Sequence, residues 1–277
     1  MNRFKNIFKS CYPTTIGMIH VRPLPGTPNY ISGSLNHTIK LAQQEAELYL
    51  NAGVDALMVE NMHDVPYLNR NVGPEITSSM TAVASAVKYV GADVPCGIQI
   101  LAGCNKEALA IAAVSGLDFI RAEGFLFGHV ADEGLMNADA GELLRYRKTI
   151  DAENVLVLTD LKKKHSSHAI TSDVSLTEMC TAADFFMSDG VVLTGASTGK
   201  PASSKELNNV LSSCNLPVLI GSGVTLNNFV EFKNAHGIII GSHFKKDGDW
   251  RNEVCKERVK SFMSGTRKYR RPAAPLI

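Results

Sequence analysis

Leu219-Ile220-Gly221-Ser222-Gly223-Val224-Thr225 reads as an apolar strand that gives way to a glycine turn and then to a helix start. Ile238-Ile239-Ile240-Gly241-Ser242-His243 repeats the strand, the glycine and the hydroxyl. Working outward, six earlier runs have the same β-rich apolar character, at residues 15–20, 56–60, 96–101, 119–122, 155–160 and 190–194. Together with 218–221 and 237–241 they predict eight strands.

The segments between the runs read as helices. Leu35, Ile39, Ala42, Ala46 and Tyr49 step along one face before Gly53, and Ile76, Met80, Val83, Val87 and Val90 do the same before Gly91. Ser175 with Glu178 and Ser203 with Glu206 have capping-box spacing, in which each partner satisfies a backbone N–H that the helix start leaves unpaired. Asn105 and Thr225 are expected N-caps, and the last helical pattern covers residues 250–262. Alternating βα units imply parallel strands, because a parallel crossover needs a connection long enough for a helix. An open doubly wound sheet would carry a glycine fingerprint after its first strand. His20-Val21-Arg22-Pro23-Leu24-Pro25-Gly26 does not have one. The expected fold is therefore α/β, a single (β/α)8 TIM barrel over residues 15–265, with a short basic segment at 1–14 and a mobile tail at 266–277.

Bulk properties exclude several classes. A net charge of +1 gives no electrostatic reason for a nucleic-acid or anionic-lipid partner. No apolar run approaches the ~18 residues needed for a membrane span. Six cysteines without a CxxC pair argue against a zinc ribbon and read as buried, reduced thiols. Arg3, Lys5 and Lys9 with Phe4, Ile7 and Phe8 form an acid-free amphipathic segment. It is either an import signal or a helix closing the barrel floor, which leaves the mitochondrial matrix and the cytoplasm as expected locations.

In barrels of this type, chemistry comes from the carboxyl ends of several strands. Here those ends carry His20, Glu60, Gln99, Arg121 with Glu123, Asp160, Thr194, Gly221-Ser222-Gly223 and Gly241-Ser242. Gly221, Ser222, Gly223, Gly241 and Ser242, with Gly195 in the neighbouring Thr194–Gly199 loop, are the expected phosphate cradle. Glycine lets the backbone approach an anion, and successive N–H groups near a helix start point at it. The alternative is that these glycines only make tight turns. His20 is a general acid/base or a hydrogen-bonded structural histidine. Glu60 and Asp160 are acid and base, Mg²⁺ ligands, or orienting groups for a nearby cation. Arg121 pairs with Glu123 or with a ligand anion, since both lie on one face of their strand. Lys162-Lys163-Lys164-His165 is either a solvated face or a run from which at least one lysine faces the ligand, with Lys164 expected to steer charge.

Gly17-Met18-Ile19-His20-Val21-Arg22-Pro23-Leu24-Pro25-Gly26 resembles the opening motif of the BtpA family. The resemblance runs through residues 52–61, Asp132-Glu133-Gly134, Glu142-Leu143-Leu144-Arg145-Tyr146-Arg147, Asp160 with Lys164-His165, Thr194-Gly195 with Thr198-Gly199, and Gly221-Ser222-Gly223-Val224-Thr225. Ile240-Gly241-Ser242 and Lys246-Asp247-Gly248 close it. It implies a barrel of the ribulose-phosphate-binding type. The family takes its name from a role in photosystem I biogenesis, and its chemistry is not defined by that name. Ala102-Gly103-Cys104-Asn105 and Glu123-Gly124-Phe125 depart from the common bacterial pattern at the site mouth, while the phosphate loops match.

The leading expectation is an enzyme acting on a small phosphorylated metabolite, a sugar phosphate or a nucleotide, by isomerase, lyase or hydrolase chemistry. Its rivals are a non-catalytic assembly or stability factor on a retained barrel and an Mg²⁺-dependent phosphohydrolase. Homo-oligomers are common among barrels of this size.

Overall fold

The computed structural model describes residues 2–9, 11–195 and 202–272. Eight parallel strands close into a barrel: β1 (Thr14–His20), β2 (Ala56–Glu60), β3 (Cys96–Gln99), β4 (Phe119–Ala122), β5 (Leu156–Asp160), β6 (Gly190–Leu193), β7 (Val218–Ile220) and β8 (Gly237–Ile240). Ring order follows chain order, and β8 returns to β1 with Ile239 opposite Ile16. Between the strands run α1 (Leu35–Asn51), α2 (Pro74–Val90), α3 (Asn105–Ser115), α4 (Ala140–Thr149), α5 (Leu176–Phe185), α6 (Ser204–Ser213) and the single turn α7 (Phe229–Phe232), with α8 (Lys256–Thr266) after β8. No helix among the described residues is long and apolar enough to cross a membrane.

The two-residue strand period divides the core in two. Outward positions such as Leu57, Val59, Ile98 and Ile120 pack beneath helix faces that include Ala46, Tyr49, Met80 and Val83. Inward positions Ile16, Met18, Met58, Phe119, Leu158, Val192, Leu219 and Ile239 fill the barrel itself. The expected capping boxes form at Ser175–Glu178 and Ser203–Glu206. Thr225 does not start a helix; its N–H donates to the Asn228 side chain, 2.7 Å away, and α7 begins only at Phe229. Asn105 is the first residue of α3, and its amide donates to Glu123 O and Asp139.

The amino-terminal segment forms a helix over Asn2–Ile7 that corks the barrel floor. Phe4 and Phe8 join the inner core, and the Phe8 ring lies 5.4 Å from that of Phe119. Each buried ring contributes roughly 1.5–3 kcal/mol. At the other end, the expected mobile tail is held as far as it is described. Arg271–Pro272 pairs antiparallel with Cys11–Tyr12, Arg270 forms an ion pair with Asp55, and the Tyr269 ring stands 6.1 Å from that of Phe229. Residues 273–277 lie outside the described residues.

The cysteines also differ from expectation. Cys180 in α5 and Cys214 at the end of α6 form a disulfide. They are 34 residues apart in sequence, but packing of the two helices brings their Cα atoms to 5.8 Å. Cys96 and Cys104 are buried free thiols, as expected.

Candidate functional site

Two residues beyond the last inward core position of each strand lies the carboxyl rim. The same period that buries Met18, Met58, Phe119, Leu158, Leu219 and Ile239 therefore turns His20, Glu60, Arg121, Asp160, Gly221 and Gly241 toward the barrel axis. Gln99 joins them between Glu60 and Arg121, because a Cβ on Gly97 would fall inside the Phe119 ring and so marks the inward face of β3. Both polar atoms of the Gln99 amide are buried without a hydrogen-bond partner among the described residues.

A cavity of about 150 Å³ opens above this layer. It is lined by His20, Glu60, Arg121, Lys164, Gly221, Ser222, Gly223, Gly241 and Ser242, so most of the expected site residues do converge. A second cavity of about 240 Å³ adjoins it and shares Glu60, Met62 and Lys164. Ligand sites are usually on the order of 300–1,000 Å³, so a metabolite would need both.

Arg121 is 1% exposed and its partner is Asp160, not Glu123. Arg121 Nε and Nη2 donate to the two Asp160 oxygens at 2.8 and 2.9 Å, a planar fork matched to a carboxylate. Of the readings offered for Asp160, that geometry favours the orienting one, since each of its oxygens accepts from Arg121. No group of three or more His, Cys, Asp or Glu side chains among the described residues is placed to hold a metal. Glu123 instead faces Lys163, 3.6 Å away, and Lys163 also donates to Glu133 at 2.6 Å. Lys163 is therefore buried rather than part of a solvated run. Lys164 enters the cavity, and no carboxylate among the described residues lies within ion-pair distance of its ammonium. Burial and then the Arg121 charge lower its pKa.

His20 Nδ1 lies 3.2 Å from the carbonyl oxygen of Trp250, an acceptor only, which assigns the proton to Nδ1. The Nε2 lone pair then faces Glu60 Oε2 at 3.7 Å. Burial, followed by the Lys245 charge, holds the imidazole well below its ordinary pKa, so it is neutral near pH 7. Burial raises the Glu60 carboxyl. The pair thus offers an unprotonated nitrogen base beside a carboxyl group.

The glycine turns have steric reasons to be glycine. A Cβ on Gly221 would sit 2.7 Å from Val192 Cγ1 and 3.1 Å from Arg121 Nη2, and one on Gly241 would press on the His20 ring at 3.0 Å. Gly223 has φ +74°, and Asn228 braces its turn by donating to Gly223 O at 3.0 Å. After β8, a 3-10 turn over Ser242–Phe244 replaces a full helix. Gly195 ends the β6 turn but does not line the cavity, and the hydroxyls expected at Ser197 and Thr198 lie outside the described residues.

Sequence reasoning missed Arg258. It lines the cavity from the first turn of α8, where its Nε donates to His243 O at 2.7 Å. No carboxylate partner is found for it among the described residues. A cation in a helix's first turn opposes the helix dipole, and that was the available signal.

A model of the BtpA family matches residues 12–268. The chain belongs to the BtpA family. One BtpA-family relative, an uncharacterised mitochondrial protein of Caenorhabditis elegans, is 49% identical over 93% of this chain and 94% of its own. The photosystem I biogenesis protein BtpA of Synechocystis is 32% identical, covering 90% of this chain and 86% of that one. Among solved structures, the BtpA-family barrel resembles thiamine phosphate pyrophosphorylase from Pyrococcus furiosus (TM-score 0.56, 10% identity, covering 93% of this chain and 96% of that one). It also resembles phosphoribosyl anthranilate isomerase from Thermus thermophilus (TM-score 0.57, 13% identity, covering 92% and 98%). At such identities the likeness is one of fold.

Proposed function

We propose that this barrel is an enzyme acting by acid–base chemistry on a phosphate monoester of a small metabolite. The observation that carries the reading is Arg258, a cavity-lining guanidinium without a carboxylate partner among the described residues, beside the turns of Gly221–Gly223 and Gly241–Ser242. Those turns supply backbone N–H groups, and Arg258 and Lys164 supply charge, so the phosphate sits at the β7–β8 side. His20 and Glu60 then face the reacting end, where neutral His20 takes a proton through Nε2. Two barrels of similar fold are named as a thiamine phosphate pyrophosphorylase and a phosphoribosyl anthranilate isomerase, which supports a phosphorylated ligand without locating its site. The worm relative's name favours a mitochondrial location over the cytoplasm, which cell fractionation tests.

The test is calorimetry with inorganic phosphate and a panel of phosphate monoesters, with chloride as control. The intact chain is expected to bind phosphate, and Gly223→Asp and Arg258→Ala to lose it. Binding unchanged in both variants, or absent from the intact chain, overturns the reading. The cyanobacterial relative's name favours a second reading, an assembly factor. Under it, substitutions in the cavity leave partner assembly intact.

A further inference from the structure

The second cavity is not needed to hold a phosphate, and its walls have two distinct characters. One side is apolar, made by Leu101, Tyr67 and Trp250. Tyr67 spends its hydroxyl on Met62 O at 2.7 Å, which leaves the ring as its contribution. The wall also carries Glu123, which is 1% exposed; its Oε2 has no hydrogen-bond partner among the described residues and lies 3.6 Å from the ammonium of Lys163, which lines the same cavity. The ion pair at that distance leaves the oxygen without a hydrogen bond, which a donor from a ligand would supply. Lys164 and Glu60, common to both cavities, add a donor and an acceptor at the junction.

Resting on the phosphate reading above, we propose that this second cavity is the subsite for the polyhydroxylated chain of the substrate, so that the ester is a sugar phosphate. A hydroxyl both donates and accepts, and therefore matches a wall offering a carboxylate oxygen that lacks a hydrogen bond together with an ammonium. The C–H face of a sugar packs against the Trp250 and Tyr67 rings. A phosphorylated carboxylic acid would set a second anion against Glu123 and Glu60. In the bound state Glu123 Oε2 accepts from a substrate hydroxyl while the phosphate lies across the barrel mouth on the β7 and β8 turns.

Trp250 is the sole tryptophan of the chain, so its emission reports occupancy of this cavity. The experiment titrates the full chain with inorganic phosphate, a pentose phosphate, a nucleoside monophosphate and a phosphorylated carboxylic acid, following both heat and fluorescence. The pentose phosphate is expected to bind at least tenfold tighter than inorganic phosphate and to alter Trp250 emission, while inorganic phosphate leaves the emission unchanged. In Glu123→Gln the pentose phosphate advantage falls by about 10-fold or more, the worth of one hydrogen bond to a charged group, and inorganic phosphate binding is retained. Should that variant fail to fold, the ligand series on the intact chain decides alone. Equal affinity for phosphate and pentose phosphate, or tighter binding of the nucleotide or the acid, overturns the sugar subsite and leaves the phosphate reading standing. Failure of inorganic phosphate itself to bind overturns both.

Discussion

His20 and Glu60 stand side by side in register on β1 and β2, with Nε2 3.7 Å from Oε2 and the opposite ring nitrogen committed to the Trp250 carbonyl. The tautomer is thereby set by a backbone atom from the loop after β8, on the far side of the strand pair. His20→Gln keeps a polar group of similar reach but removes the proposed base. Turnover of a substrate is expected to fall by about 10²–10⁴-fold. Inorganic phosphate binding, read by calorimetry, should change less than twofold. A parallel loss of both would make His20 a binding or structural residue.

Arg121 and Asp160 form a pair that is 1% exposed on each side chain. Removing one member strands a buried charge, so Asp160→Asn is expected to cost about 3–5 kcal/mol in urea unfolding. Replacing both by leucine should recover much of that loss. A cost below about 1 kcal/mol for the single variant would contradict the geometry, since a desolvated fork cannot be so cheap to break.

Gly221→Ala puts a methyl group against Val192, Thr194 and Arg121. Overpacking of this kind costs about 1–3 kcal/mol and displaces the guanidinium. Thermal unfolding and phosphate titration of the variant should both worsen. Gly33→Ala, where nothing lies within 4 Å of the new Cβ, provides the contrast, with its strain confined to φ +79°.

Acid sensitivity follows from histidines other than His20. Burial, then neighbouring cations, lowers His63 to about 4, and burial, then His168 and Lys163, lowers His129 to about 4. A folded pKa below the unfolded value of about 6.5 favours the neutral ring in the native state. The resulting stability is complete above about pH 6.5 and is lost as pH falls toward 4. Urea unfolding at pH 7 and pH 5 should therefore differ less in His129→Asn than in the natural chain. NMR of the His129 ring should titrate near 4, and titration near 6.5 would remove the effect.

The Cys180–Cys214 bridge closes a 34-residue loop. Loop-closure arithmetic assigns it about 4 kcal/mol. Thiol counting on the unfolded chain should find two fewer free thiols before reduction than after. Cys180→Ser should unfold at lower urea, by an amount that added reductant no longer changes. Equal thiol counts would mean that the two helices pack without the bond.

The architecture was legible because periodicity is local. Each strand of the barrel lies within a residue or two of its expected span, and the strand-end rule brought His20, Glu60 and the two glycine turns to one cavity. Pairings across the ring were not legible. Arg121 lies two residues from Glu123 in sequence, yet its partner is Asp160 on the next strand, because partners are set by packing in space rather than by chain distance. The same reason hid the disulfide and the Trp250 carbonyl. The helix expected after Gly223 shrank to one turn because Asn228 captures the Thr225 N–H and spends the chain on a brace.

The floor of the barrel is made by Phe4 and Phe8, which leave the ribosome long before most of the strands they will sit beneath. Their cluster includes Ile239 of β8, the last strand of the ring to be translated. During synthesis these aromatics can meet only part of their cluster, which is completed when the ring shuts. A nascent chain halted before residue 237 should thus be held by a ribosome-associated chaperone, and released once that final strand emerges.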